Sequence, residues 1–99
     1  MDMNTIELFI AHLQNPVIFP GLFLFDIHSY IRTLRPYNIR RVTAYNLFKK
    51  QITEEGHLIN MTDRKVICLS TNKVWRSLTP AQRNVFVIYA RQVRFIIGH

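Results

Sequence analysis

The stretch Thr62–Ile97, TDRKVICLSTNKVWRSLTPAQRNVFVIYARQVRFII, decides the fold class. At its centre Thr79-Pro80-Ala81-Gln82 forms a complete helix start. It has a hydroxyl at the N-cap, a proline at the first helical position, where no amide hydrogen is needed, and a glutamine at the third to close a capping box. A helix is therefore predicted to begin at Pro80 and can run to Ile97, just before Gly98. Val85, Ile88, Tyr89 and Val93 lie on one side, Phe86 and Ala90 beside them, and Arg83, Arg91 and Arg94 interrupt the outer face. At about 1.5 Å per residue this is a rod of roughly 27 Å, long for a chain of 99 residues. Upstream, Thr62 or Asp63 can cap a preceding helix. In it Ile67, Thr71, Val74, Trp75 and Leu78 follow helical spacing, with Trp75 the largest apolar group in the chain.

The pattern continues toward the N-terminus. From Arg40 a third basic helix is expected, because Arg41, Tyr45, Phe48 and Ile52 recur at helical intervals; Tyr45, Phe48 and Ile52 make its apolar stripe, Lys49 and Lys50 point elsewhere, and Gly56 is placed as its C′ stop. Near the start, Asn4 and Glu7 match a capping box ahead of Ile6, Phe9, Ile10 and Leu13, and Asn15-Pro16 ends that helix. The apolar run Val17–Phe25 is broken by Pro20-Gly21 and falls far short of the roughly 20 residues that span a bilayer. Asp2 and Glu7 stand where a signal peptide carries positive charge. Phe23, Ile27, Tyr30, Ile31 and Leu34 suggest a second short helix ending before Arg35-Pro36.

Charge divides the chain. Residues 1–31 hold Asp2, Glu7 and Asp26 with no Lys or Arg, a net charge of −3; residues 32–99 hold all 13 Lys and Arg against Glu54, Glu55 and Asp63, a net charge of +10. Such an asymmetry points to a polyanion partner for the second part. Cys68 is alone, so no intrachain disulfide forms. His12, His28, His57 and His99 are scattered at no zinc-ligand spacing, so neither a metal nor a cofactor is expected. With six acids and no nucleophile motif, phosphate loop or HExxH, the sequence points away from an enzyme.

Three helices behind a basic lead-in, a Trp late in the second and a long third helix resemble the HMG box, the L-shaped minor-groove DNA-binding domain. Arg40-Arg41-Val42-Thr43-Ala44-Tyr45-Asn46-Leu47-Phe48 is similar to the family's basic lead-in and Asn-Ala-Phe-type motif, and Ile67, Trp75, Leu78, Thr79, Arg83, Phe86 and Ala90 match its downstream series. The spacing from Phe48 to Trp75 is one residue shorter than in a typical box, which puts a deletion near Gly56; the turn Ile59-Asn60-Met61-Thr62 looks most like fungal mating-type boxes. A register starting from Arg35-Pro36-Tyr37-Asn38 is rejected because it sets Arg40 on the core stripe.

The resemblance covers about residues 36–97 and implies an all-α fold: a three-helix L-shaped box over 36–98, preceded by a short apolar helical extension over 1–35. It implies a nuclear transcription regulator that binds double-stranded DNA in the minor groove and bends it. Arg40 and Arg41 would track the backbone, Tyr45 would support an unstacked step, Lys49 and Lys50 would reach phosphates, and Arg64 and Cys68 would face the groove; Phe48, Ile67, Trp75, Leu78, Phe86 and Ala90 would be core. Two positions depart from the family. Thr43 replaces an Asn that reads a base edge, and Asn46 stands where an apolar wedge belongs, so weaker bending and discrimination are expected. Read without the resemblance, Lys49, Lys50, Arg91 and Arg94 are solvated charges, Cys68 is a small buried hydrophobe, and His57 is a solvated side chain beside a turn. The alternative function is a helical interaction module, with residues 1–35 contacting a protein partner or a second copy and Val17–Phe25 as the working surface. A weaker option, a basic helix on an anionic membrane surface, is opposed by the core role of Trp75.

Overall fold

A computed structural model describes residues 3–34 and 39–98. The boundary expected at residues 35/36, the stretch Arg35-Pro36-Tyr37-Asn38, Asp2 and His99 lie outside the described residues. All regular structure among the described residues is helical: α1 (Met3–Leu13), α2 (Ile27–Thr33), α3 (Ala44–Leu58), α4 (Arg64–Ser77) and α5 (Pro80–Ile97), with 3₁₀ turns at Phe19–Phe23 and Ile39–Arg41.

Local chemistry starts α3, α4 and α5. The Thr43 hydroxyl accepts the Asn46 amide, the Asp63 carboxylate accepts the amides of Lys65 and Val66, and Thr79 and Gln82 close the capping box in both directions. Such caps satisfy amides that have no partner inside the helix, each worth about 1 kcal/mol. α5 runs from Pro80 to Ile97, and Gly98 is its C-cap. α3 begins later than expected, at Ala44, because Ile39–Arg41 forms a separate turn and Thr43 takes the cap. Nor does Gly56 stop it: Gly56 is buried within α3, and the left-handed residue past the helix end is Asn60, at φ 61°. Gly56 is required for a different reason. A Cβ there would stand 2.6 Å from the Met61 carbonyl oxygen and 3.4 Å from the Phe9 ring. In α1 the expected box at Asn4 is not formed, since the helix already begins at Met3.

One core joins the whole described chain. Phe48 and Phe86 are fully buried at its centre with ring centroids 5.2 Å apart, and Phe23 from the first 3₁₀ turn lies 6.4 Å and 5.5 Å from them. Ile6, Phe9 and Leu13 of α1 are buried in the same cluster, and α1 packs on α4, α2 on α5, and the 3₁₀ turn on α3. Phe48, Ile67, Leu78, Phe86 and Ala90 are buried, whereas Trp75 is half-buried at the core's edge, 5.4 Å from Phe48. Much of Val17–Phe25 is spent inside: Leu22 and Phe25 are buried and Phe23 packs on the core, while Val17 and Leu24 stay exposed.

Long side chains of α3 and α5 capture backbone carbonyls of the preceding segments. Gln51 donates to the carbonyls of Leu22 (3.0 Å) and Leu24 (2.9 Å), Tyr89 to that of Phe23 (2.8 Å), and Arg94 to that of Val42 (2.6 Å). His12 and Glu55 meet at 2.8 Å between α1 and α3. No helix among the described residues is long and apolar enough to cross a membrane.

Candidate nucleic-acid interface

The exposed side of α3 carries Lys49, Thr53 and His57, spaced one helical turn apart, so they form a ridge. A groove lies on each flank and all three residues line both. The first, about 670 Å³, is walled by Tyr30 and Leu34 at the α2 end and lined by Arg41, Asn46, Lys50 and Glu54. The second, about 490 Å³, is completed by Thr62, Arg64 and Ile67 at the start of α4. The two grooves gather Arg41, Lys49, Lys50 and Arg64 against a single carboxylate, Glu54, which is ion-paired with Lys50 one turn away. Lys50 also lies 6.0 Å from the centre of the Tyr30 ring, a cation–π contact. Burial raises the Tyr30 phenol above its ordinary value, so Tyr30 serves here as a neutral wall.

The remaining candidates fall elsewhere or are already engaged. Arg40 is exposed on the same turn as Arg41 but lines neither groove. The Thr43 hydroxyl is used as the α3 cap, and the Asn46 amide, which does line the first groove, donates to the Arg41 carbonyl at 2.9 Å. Asn46 therefore holds the Arg41 turn against the first turn of α3. Tyr45 faces α4. Its hydroxyl bonds the Asn72 carboxamide and its ring meets Trp75 edge-on at 5.9 Å. Burial pushes the Tyr45 phenol up, the adjacent Cys68 adds to the rise and Arg76 opposes it. Half-buried Cys68 thus sits beside Tyr45 on the α3–α4 seam and not in either groove.

The chain matches no protein-family model, no curated protein and no solved structure. The site is thus known by its geometry alone: two basic grooves sharing one ridge. Sequence reasoning located Arg41, Lys49, Lys50 and Arg64 and missed Thr53, His57, Tyr30 and Leu34. Thr53 and His57 follow from Lys49 by helical spacing and could have been found. Tyr30 and Leu34 could not, because their place depends on how α2 packs. Among the described residues no group of three or more His, Cys, Asp or Glu side chains is placed to hold a metal.

Proposed function

We propose that this chain is a double-stranded DNA-binding protein of HMG-box type, acting by binding and not by catalysis, with α3, α4 and α5 as the helices of an L-shaped box. On this reading it lies along the minor groove in the nucleus, bends the duplex and regulates transcription, as a mating-type or developmental factor does. The observation that supports it is the convergence of Arg41, Lys49, Lys50 and Arg64 on adjoining grooves in which the one carboxylate is already paired. A concave surface of that charge suits a phosphate backbone. Phosphate contacts dominate and base reading is slight, because the Thr43 hydroxyl caps a helix and the Asn46 amide is tied to the Arg41 carbonyl, which leaves little for a base edge or a wedge.

The test is fluorescence anisotropy with linear duplex and four-way-junction DNA over a salt series. Four phosphate-binding cations give a log–log slope on the order of −3 to −4. Lys49→Glu with Lys50→Glu should flatten that slope and abolish binding at moderate salt. Affinity that does not change with salt refutes the proposal.

A further inference from the structure

His57 occupies a position that the charge reading left unused. It is exposed in the last turn of α3 and lines both grooves. Lys49, Lys50, Thr53 and Glu54 face these clefts from its own helix, Tyr30 and Leu34 from the α2 end, Arg41 from the 3₁₀ turn, and Thr62, Arg64 and Ile67 from the start of α4. The single carboxylate in this set, Glu54, is paired with Lys50, and among the described residues no carboxylate bonds the His57 ring. Lys49 and His57 stand two turns apart on one side of α3, about 12 Å along its axis. That distance corresponds to roughly three to four nucleotide steps of one strand at about 3.4 Å each.

An imidazole is the side chain whose charge changes between about pH 5 and 8. His57 shares the two grooves with Arg41, Lys49, Lys50 and Arg64, so an anion that enters them meets the imidazole together with these cations. We propose, resting on the DNA reading above, that His57 is a proton-dependent phosphate ligand, so that the duplex and one proton bind together and each strengthens the other. Neutral His57 leaves the ridge with Lys49 as its one cation. Protonated His57 adds a second, near the far end of the same ridge, and lengthens the phosphate track across both grooves. Linkage makes the effect reciprocal: DNA raises the proton affinity of His57 by the factor by which the proton raises DNA affinity.

The test uses the full chain and a linear duplex probe, titrated by anisotropy across a salt series at about pH 8 and about pH 6, which bracket the imidazole transition. Toward the acid end, affinity should rise roughly 5-fold or more, the lower range of ordinary coupling, and the salt slope should steepen by about 0.9, the increment for one phosphate. In His57→Gln both changes should shrink to whatever His12, His28 and His99 contribute. In His57→Arg the tighter, steeper behaviour should hold at both pH values. Far-UV circular dichroism checks that each variant is folded. A His57→Gln protein that binds DNA and keeps the wild-type pH response overturns this proposal alone. Absence of DNA binding by the unaltered chain at every pH and salt overturns the DNA reading and this inference with it.

Discussion

Residues 3–34 and residues 39–98 reach their helical structure by different routes. The second region carries its instructions locally: Thr43, Asp63 and Thr79 each cap the helix that follows them. The first region relies far more on packing. Asp26 caps α2, but the 3₁₀ turn at Phe19–Phe23 has no side-chain cap, and its carbonyls are held by Gln51 and Tyr89 from α3 and α5. The acidic, apolar region is therefore shaped by the basic one, and in return its Phe23 covers Phe48 and Phe86. A charge boundary in a sequence need not be a folding boundary.

The strongest way to break this contrast is to remove what both regions share. Phe86 touches Phe23, Phe48 and Tyr89, so Phe86→Ala should cost about 3–5 kcal/mol, with α1–α2 and α3–α5 lost in one urea transition. Two separated transitions would show the regions to be independent. A smaller effect is expected at their contact. By helix propensity alone Gly56→Ala should gain about 1 kcal/mol; with the Met61 carbonyl at 2.6 Å from the new methyl, it should instead lose about 1–3 kcal/mol, measured as a lower midpoint at unchanged slope. The smallest effect belongs to Asp26. Hydrogen bonds from the Ser29 amide and hydroxyl, helped by Arg32, hold its carboxyl below the usual value. A depressed native pKa stabilises above the unfolded value, about pH 4 for a carboxyl, and the gain fades as pH falls through the native value. A thermal melt series from pH 6 to pH 3 should show a slightly shallower acid loss in Asp26→Asn than in the unaltered chain.

What could be read from the sequence follows the same division. The Thr79 box and the reach of α5 to Ile97 were located by pattern alone, and pattern narrowed the α4 cap to Thr62 or Asp63, of which Asp63 takes it. Gly56 misled because a glycine near a helix end serves equally as a left-handed stop or as a place of close approach, and the difference here lies with Phe9 and Met61, remote or unremarkable in the pattern. Asn4 misled because its spacing to Glu7 matches a capping box, while Asn4 itself stands inside α1, which already includes Met3. At the candidate interface the cations were visible as charges on helices, but the grooves were not. A groove needs a second wall, and α2 supplies it through Tyr30 and Leu34 only after the core has formed.

The bond from Tyr89 to the Phe23 carbonyl spans 66 residues, and that separation sets an order of events during synthesis. At about 5–20 residues per second, a ribosome needs roughly 3–13 s to make the chain between the two. For that interval the run Val17–Phe25 is outside the ribosome or in its exit tunnel without its final cover, and α5, made well after it, is the helix that closes over it.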